Sequence, residues 1–106
     1  MPEQNVTTKY DQGKSRYDLI PPEGLQALAD VLTMGAEKYT DRGWEAGTLT
    51  FGRVFAAMMR HSWAWFRGED VDKESNLPHM AHVAWGAFVL ITFQSRKIGK
   101  DDRVSC

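Results

Sequence analysis

The chain has 106 residues, a formal net charge of -1 and a single cysteine, Cys106. That length suits one domain with a real core, since a chain of this size buries roughly 65% of its unfolded surface. The balanced charge excludes a general attraction to nucleic acid or anionic membranes, one cysteine excludes an internal disulfide, and no apolar run is long enough to cross a bilayer. The expectation is a cytoplasmic protein with no nucleic-acid or membrane partner.

Residues 1–20 read as a polar arm, 21–98 as a helical core and 99–106 as a short flexible tail, together forming a single domain. Pro21 and Pro22 suit a first helical turn, where the missing N–H has no partner to lose, so a first helix is expected from there to about Tyr39. Its apolar stripe would be Leu25, Leu28, Ala29, Leu32, Ala36 and Tyr39, with Glu37 solvated on the other side. A loop through Asp41, Arg42, Gly43, Trp44 and Gly47 follows, and Trp44 there can either pack or stack on a base.

Thr50 is the expected cap of a second helix, with Gly68 as its stop. Phe51, Val54, Phe55, Met58, Ser62, Trp65 and Phe66 span its apolar arc. His61 borders that arc beside Ala57 and Ala64, and Arg53, Arg60 and Arg67 share the far side. A third helix should start around Asn76 to Pro78 and end near Arg96, with His79, His82, Gly86, Val89 and Phe93 on one side. Its other sides are apolar too, and each large apolar side chain left in water forgoes about 1.5 to 3 kcal/mol. The fold class is therefore an all-α small bundle with three main helices, completed by homo-oligomerisation, most simply as a homodimer.

All three histidines lie between positions 61 and 82, with Glu69, Asp70, Asp72 and Glu74 between the first two. His79 and His82, at i and i+3, sit about 5 to 6 Å apart at Cβ, close enough for one divalent ion. His61 can close the site from the facing helix, and Asp72 completes the expected ligand set; Glu69 is either a further ligand or the base that orients water. Such mixed nitrogen and oxygen ligation fits Mn, Fe, Co, Ni or Zn better than an all-oxygen Mg site. The alternative is that the histidines simply make hydrogen bonds. A calcium loop is excluded, because Ser75 replaces the turn glycine and Ala81 the bidentate glutamate. Lys14, Arg16, Lys38 and Arg60 are the cations placed to meet phosphate oxygens.

These same residues carry a resemblance. Asp11-x-Gly13-Lys14-x-Arg16-Tyr17-Asp18-Leu19, Gly35-Ala36-x-Lys38-Tyr39, Trp44, Arg60-His61, Gly68-Glu69-x-x-Asp72-x-Glu74 and His79-x-x-His82 resemble phage and bacterial dATP/dGTP diphosphohydrolase N-terminal domains, from about Tyr10 to Phe93. The chain is also distantly similar to MazG-like all-α nucleoside triphosphate pyrophosphohydrolases, although histidines stand where their ExxD motif has acids. The resemblance implies an oligomeric, metal-dependent enzyme that converts a purine deoxynucleoside triphosphate to a monophosphate and pyrophosphate, in the host cytoplasm if phage-encoded. Two other readings stand beside it: an HD-type phosphohydrolase releasing different products, and a non-catalytic phage assembly or binding protein.

Overall fold

A computed structural model describes residues 13–105; Tyr10 and Asp11 of the motif, the start of the arm, and Cys106 lie outside them. The described chain is all-α, with α1 at Pro22–Lys38, α2 at Phe51–Phe66 and α3 at His79–Arg96, plus single 3-10 turns at Tyr17–Leu19 and Gly43–Ala46. Among the described residues there is no strand, only two isolated bridges. None of the described helices is long and apolar enough to cross a membrane.

The expected helix starts hold because local chemistry satisfies their first amides. Pro22 opens α1 without an amide to leave unpaired. At α2, the Thr50 hydroxyl accepts from the Arg53 amide, the Lys100 carbonyl from Phe51 and the Asp102 carboxylate from Gly52 at 2.7 Å. Those three bonds satisfy three of the four amides that a helix start leaves orphaned. They also correct the expectation of a flexible tail after residue 98, because Lys100 and Asp102 are strapped across the start of α2. Gly99 makes the reversal possible: its φ of 78° is left-handed, and a Cβ there would press into the Phe93 ring.

Helix α3 is central, with α2 packed antiparallel along one side and α1 along another. Phe51, Val54, Val89 and Phe93 form the core at one end of the α2/α3 pair, supported by Trp44, Met58 and Trp85. At mid-length Gly86 lets the helices close, since a Cβ on it would collide with the Met58 side chain. On α3 the side that carries His79, Gly86, Val89 and Phe93 is enclosed.

Two expected faces are displaced. On α1 the buried residues are Leu28 and Val31, while Leu25 and Tyr39 are exposed. The helix carries two overlapping apolar arcs about a quarter turn apart, and only the position of α3 decides between them. On α2 the alanine seam of Ala57, Ala64 and His61 turns toward α3, leaving Phe55, Trp65 and Phe66 exposed. Helix α3 is likewise not covered all round, because Met80, Phe88 and Ile91 remain exposed.

Candidate metal centre

Antiparallel pairing brings the end of α2 level with the start of α3, and a short connection folds over both. Arg67 and Gly68 end α2, then Val71 bridges Pro78 and the Asp72 amide donates to the Leu77 carbonyl at 2.8 Å. The His79 amide, which as the first of a helix has no partner in its own turn, donates to the Asp70 carbonyl at 2.9 Å. A tight turn sits at the tip: the Asp72 carboxylate accepts from the Ser75 amide at 3.0 Å and its carbonyl from Asn76 at 2.7 Å, with Asn76 in the left-handed region. This loop delivers Glu69, Asp72 and Ser75 to the three histidines.

His79 is the buried polar residue of the helical core, only 4% exposed. Its Nε2 lies 2.8 Å from Glu69 Oε1, and its Nδ1 lies 2.8 Å from His61 Nδ1. A carboxylate can only accept, so Nε2 carries the proton, and with neutral rings the bond between the two Nδ1 atoms is donated by His61. The His82 ring stacks on His61, centroids 4.3 Å apart and planes 7° off parallel. Its Nε2 is 2.7 Å from Ser75 Oγ and 3.8 Å from Asp72 Oδ2. Ser75 Oγ also accepts the Leu77 amide at 3.2 Å, so the hydroxyl is held between the turn and His82.

The electrostatics favour neutral His61 and His82 rings beside ionised acids. Burial pushes the His61 imidazole below its ordinary range, and the neighbouring His82 adds to that. Burial likewise lowers His82, against the pull of Asp72 toward the charged form. Burial would raise Asp72, but the hydrogen bonds from Ser75 outweigh it and hold the carboxyl low. The hydrogen bond from His79 holds Glu69 low as well. Unprotonated imidazoles facing carboxylates are the donor set a divalent cation needs.

His61, Asp72 and His79 each present a ligand atom, all within 4.8 Å of one another. An ion bound tetrahedrally by both Nδ1 atoms at about 2.0 Å would hold them roughly 3.3 Å apart, so the rings need open only about half an ångström. Three of the four expected ligands are thus brought together. The fourth, His82, stacks on His61 with its Nε2 engaged by Ser75. Glu69 stands behind His79, where its bond fixes the tautomer that leaves Nδ1 free.

The other expected residues are spread out. Arg60 is exposed on α2 next to His61, and its charge reaches that ring. Arg16 makes a two-pronged ion pair with Asp18, Lys38 stands over the Tyr39 ring, and Lys14 is exposed before the first turn. Trp44 packs edge-on to Trp85 and against Phe93, as part of the core's surround. Sequence reasoning missed Ser75 as a member of the cluster. Asp72-x-x-Ser75 is a local turn pattern that signals it, because an aspartate accepting from the amide three residues on brings that residue's side chain alongside its own.

The histidines, Glu69, Asp72 and Arg60 all lie inside a region that has relatives. A dATP/dGTP diphosphohydrolase of Salmonella phage PMBT28 is 34% identical over 95 residues, which is 90% of this chain and 32% of the relative. The chain therefore spans about a third of that protein's length. No solved structure matches it. The profile of the dATP/dGTP diphosphohydrolase N-terminal family matches residues 4–103, from the arm through α3 to the strapped tail, and the chain belongs to that family.

Proposed function

We propose that this domain binds a divalent cation through His61, His79 and Asp72 and takes part in metal-dependent hydrolysis of purine deoxynucleoside triphosphates to monophosphate and pyrophosphate. The observation that carries the reading is that His61, Asp72 and His79 each bring a ligand atom within 4.8 Å of the others, with the two histidine Nδ1 atoms 2.8 Å apart, in a family named for dATP/dGTP diphosphohydrolases. A bound cation supplies positive charge to the phosphate chain and acidifies water. Glu69 orients His79 through Nε2, Ser75 and Asp72 hold His82 against His61, and Arg60 offers a guanidinium beside the cluster for a phosphoryl oxygen. Lys14, Arg16 and Lys38 remain further cations for the phosphates, whereas Trp44 is taken up by packing on Trp85 and Phe93.

The test is turnover of the four deoxynucleoside triphosphates with Mg, Mn, Co, Ni and Zn, with products identified. Pyrophosphate from dATP or dGTP supports the reading, and release of tripolyphosphate or orthophosphate instead rejects it in favour of the HD-type alternative. A second reading has its own observation: no buried side-chain nitrogen or oxygen among the described residues lacks a hydrogen-bond partner, so the cluster is a complete structural network without an ion. Under that reading the metal-free chain folds as well as the metal-treated one and turns over no triphosphate.

A further inference from the structure

With Trp44 packed into the core, the proposed reaction needs another place for the base. A shallow groove of about 480 Å³ opens between α2 and α3, lined by Met59, Ser62, Trp63, Trp65, Phe66 and Met80. That volume falls within the range of small-molecule sites, roughly 300 to 1,000 Å³. The groove sits at the histidine end of the pair, because Ser62 directly follows His61 and Met80 directly follows His79. Consecutive helical residues lie about 3.8 Å apart at Cα and point about 100° from each other, so on both helices the groove is the next face round from the cluster. Its three aromatic side chains are between 46% and 72% exposed. The Trp63 and Phe66 rings meet edge to face, centroids 5.7 Å apart, an arrangement that a further flat ring can join by stacking. Met59 and Met80 border it with thioethers, which are favourable neighbours of an aromatic ring. No charged side chain lines it.

We infer that this groove is a nucleobase subsite in which Trp63 and Phe66 hold the base by stacking, selecting it by the area of its rings rather than by reading its edge. The inference rests on the nucleotide reading above. Charge sorts the two ends of such a ligand: the neutral, flat base suits an uncharged aromatic groove, and the phosphates suit a cation and the Arg60 guanidinium. Two fused rings cover more of Trp63 and Phe66 than one ring does, which favours purines over pyrimidines. The polar side chain in the groove is Ser62, whose hydroxyl has no hydrogen-bond partner among the described residues. A hydroxyl both donates and accepts, so it meets the amino group of adenine and the keto oxygen of guanine equally well. Adenine and guanine are therefore held alike. The family's name pairs the same two bases.

The experiment reads binding rather than turnover, on the whole chain. Calorimetry with Mn present should give dATP and dGTP affinities within about threefold of each other, and both well above those of dCTP and dTTP. Trp63→Ala and Phe66→Ala, at exposed positions, should weaken dATP and dGTP about 5- to 150-fold, the range of a lost base stack, with Mn and inorganic tripolyphosphate bound as before. Trp63→Phe keeps a ring and should keep most of the affinity, and Phe55→Ala, exposed on α2 outside the groove, should change nothing. Deoxyadenosine, which has no phosphate, separates this inference from the hydrolase reading. Of the four tryptophan indole N–H signals in the metal-free chain, those of Trp63 and Trp65 should shift with it, and those of Trp44 and Trp85 should not. A chain that shows those shifts but binds neither Mn nor tripolyphosphate keeps the groove and loses the hydrolase. The inference is overturned if dATP binds both alanine variants as tightly as the parent, if tripolyphosphate loses as much as dATP does, if dCTP matches dATP, or if deoxyadenosine moves neither groove signal.

Discussion

Gly86→Ala tests whether the α2/α3 approach is what places the histidines. Two effects oppose each other. Alanine is the better helix former by about 1 kcal/mol in a helix interior. Yet the new methyl would lie within 2.7 Å of Met58 Sδ and nearer still to its Cγ, where carbon contacts prefer about 3.5 to 4 Å. Val54 Cγ1, at 3.6 Å, closes the other side. Met58 must therefore swing away or the helices must part by about an ångström, and overpacking of this kind costs about 1 to 3 kcal/mol. The clash matches or exceeds the gain, leaving a net loss of about 0 to 2 kcal/mol, or up to roughly 12 °C in Tm for a domain of this size.

The functional consequence follows from position. Gly86 lies four residues after His82, and Met58 three before His61, so widening the pair there also stretches the 2.8 Å separation of the two Nδ1 atoms. Metal affinity should fall together with stability. Met58→Ala makes room, and a double-mutant cycle should show Gly86→Ala costing at least 1 kcal/mol less in that background. Urea unfolding and calorimetric titration with Mn and Zn read both quantities. The same cost in both backgrounds would refute the packing argument.

Replacing His61, His79 or Asp72 by alanine should abolish measurable Mn or Zn binding, while Glu69→Gln and Ser75→Ala should weaken it about 10- to 100-fold, as removal of a ligand's supporting partner does; equal effects at all five positions would dissolve the distinction between ligands and supports. The His82→Ala variant should behave like the supports, and calorimetry that places it with the ligands would restore His82 to the ligand set. For the metal-free chain, the lowered imidazoles of His61 and His82 give a definite sign: the unfolded chain takes up protons first, so stability is full above about pH 6.5 and falls as the pH drops through the folded-state range. The lowered carboxyls of Glu69 and Asp72 add a second loss below about pH 4.5, and a urea midpoint that stays level from pH 8 to 5 would contradict the first step. Asp102→Ala should lower stability by about 1 kcal/mol through loss of the bond to the Gly52 amide, and an unchanged midpoint would show the strap to be incidental.

How much of this was legible depends on how local each determinant is. Helix starts at Pro22 and Thr50 follow from chemistry within a few residues, and the sequence spells them out. The buried side of α1 was not legible, because both of its arcs are apolar and the choice belongs to a neighbour some fifty residues away. The tail was misread for the same reason: a polar run after Gly99 looks solvated until Asp102 is seen to answer an amide on α2 that the sequence cannot show as waiting for it.

The site divides along the same line. One-turn spacing correctly put His79 and His82 on a single face, but spacing alone made them equal partners. What separates them is which ring nitrogen is already engaged. His79 is held through Nε2 by an acceptor, so its Nδ1 lone pair is directed at His61; His82 has its Nε2 taken by a hydroxyl and contributes a stacked ring instead. The proton between His61 and His79 is therefore the group a cation must displace. When an ion takes Nδ1 that proton moves to His61 Nε2, so binding near neutral pH should release almost no proton, with release growing as the pH falls into the range where the ring becomes charged. Titrating Zn or Mn in two buffers of different ionisation enthalpy measures that release directly. An apparent enthalpy near neutral pH that differs between the buffers by a full proton's ionisation would show a charged ring in the metal-free cluster and overturn the neutral arrangement.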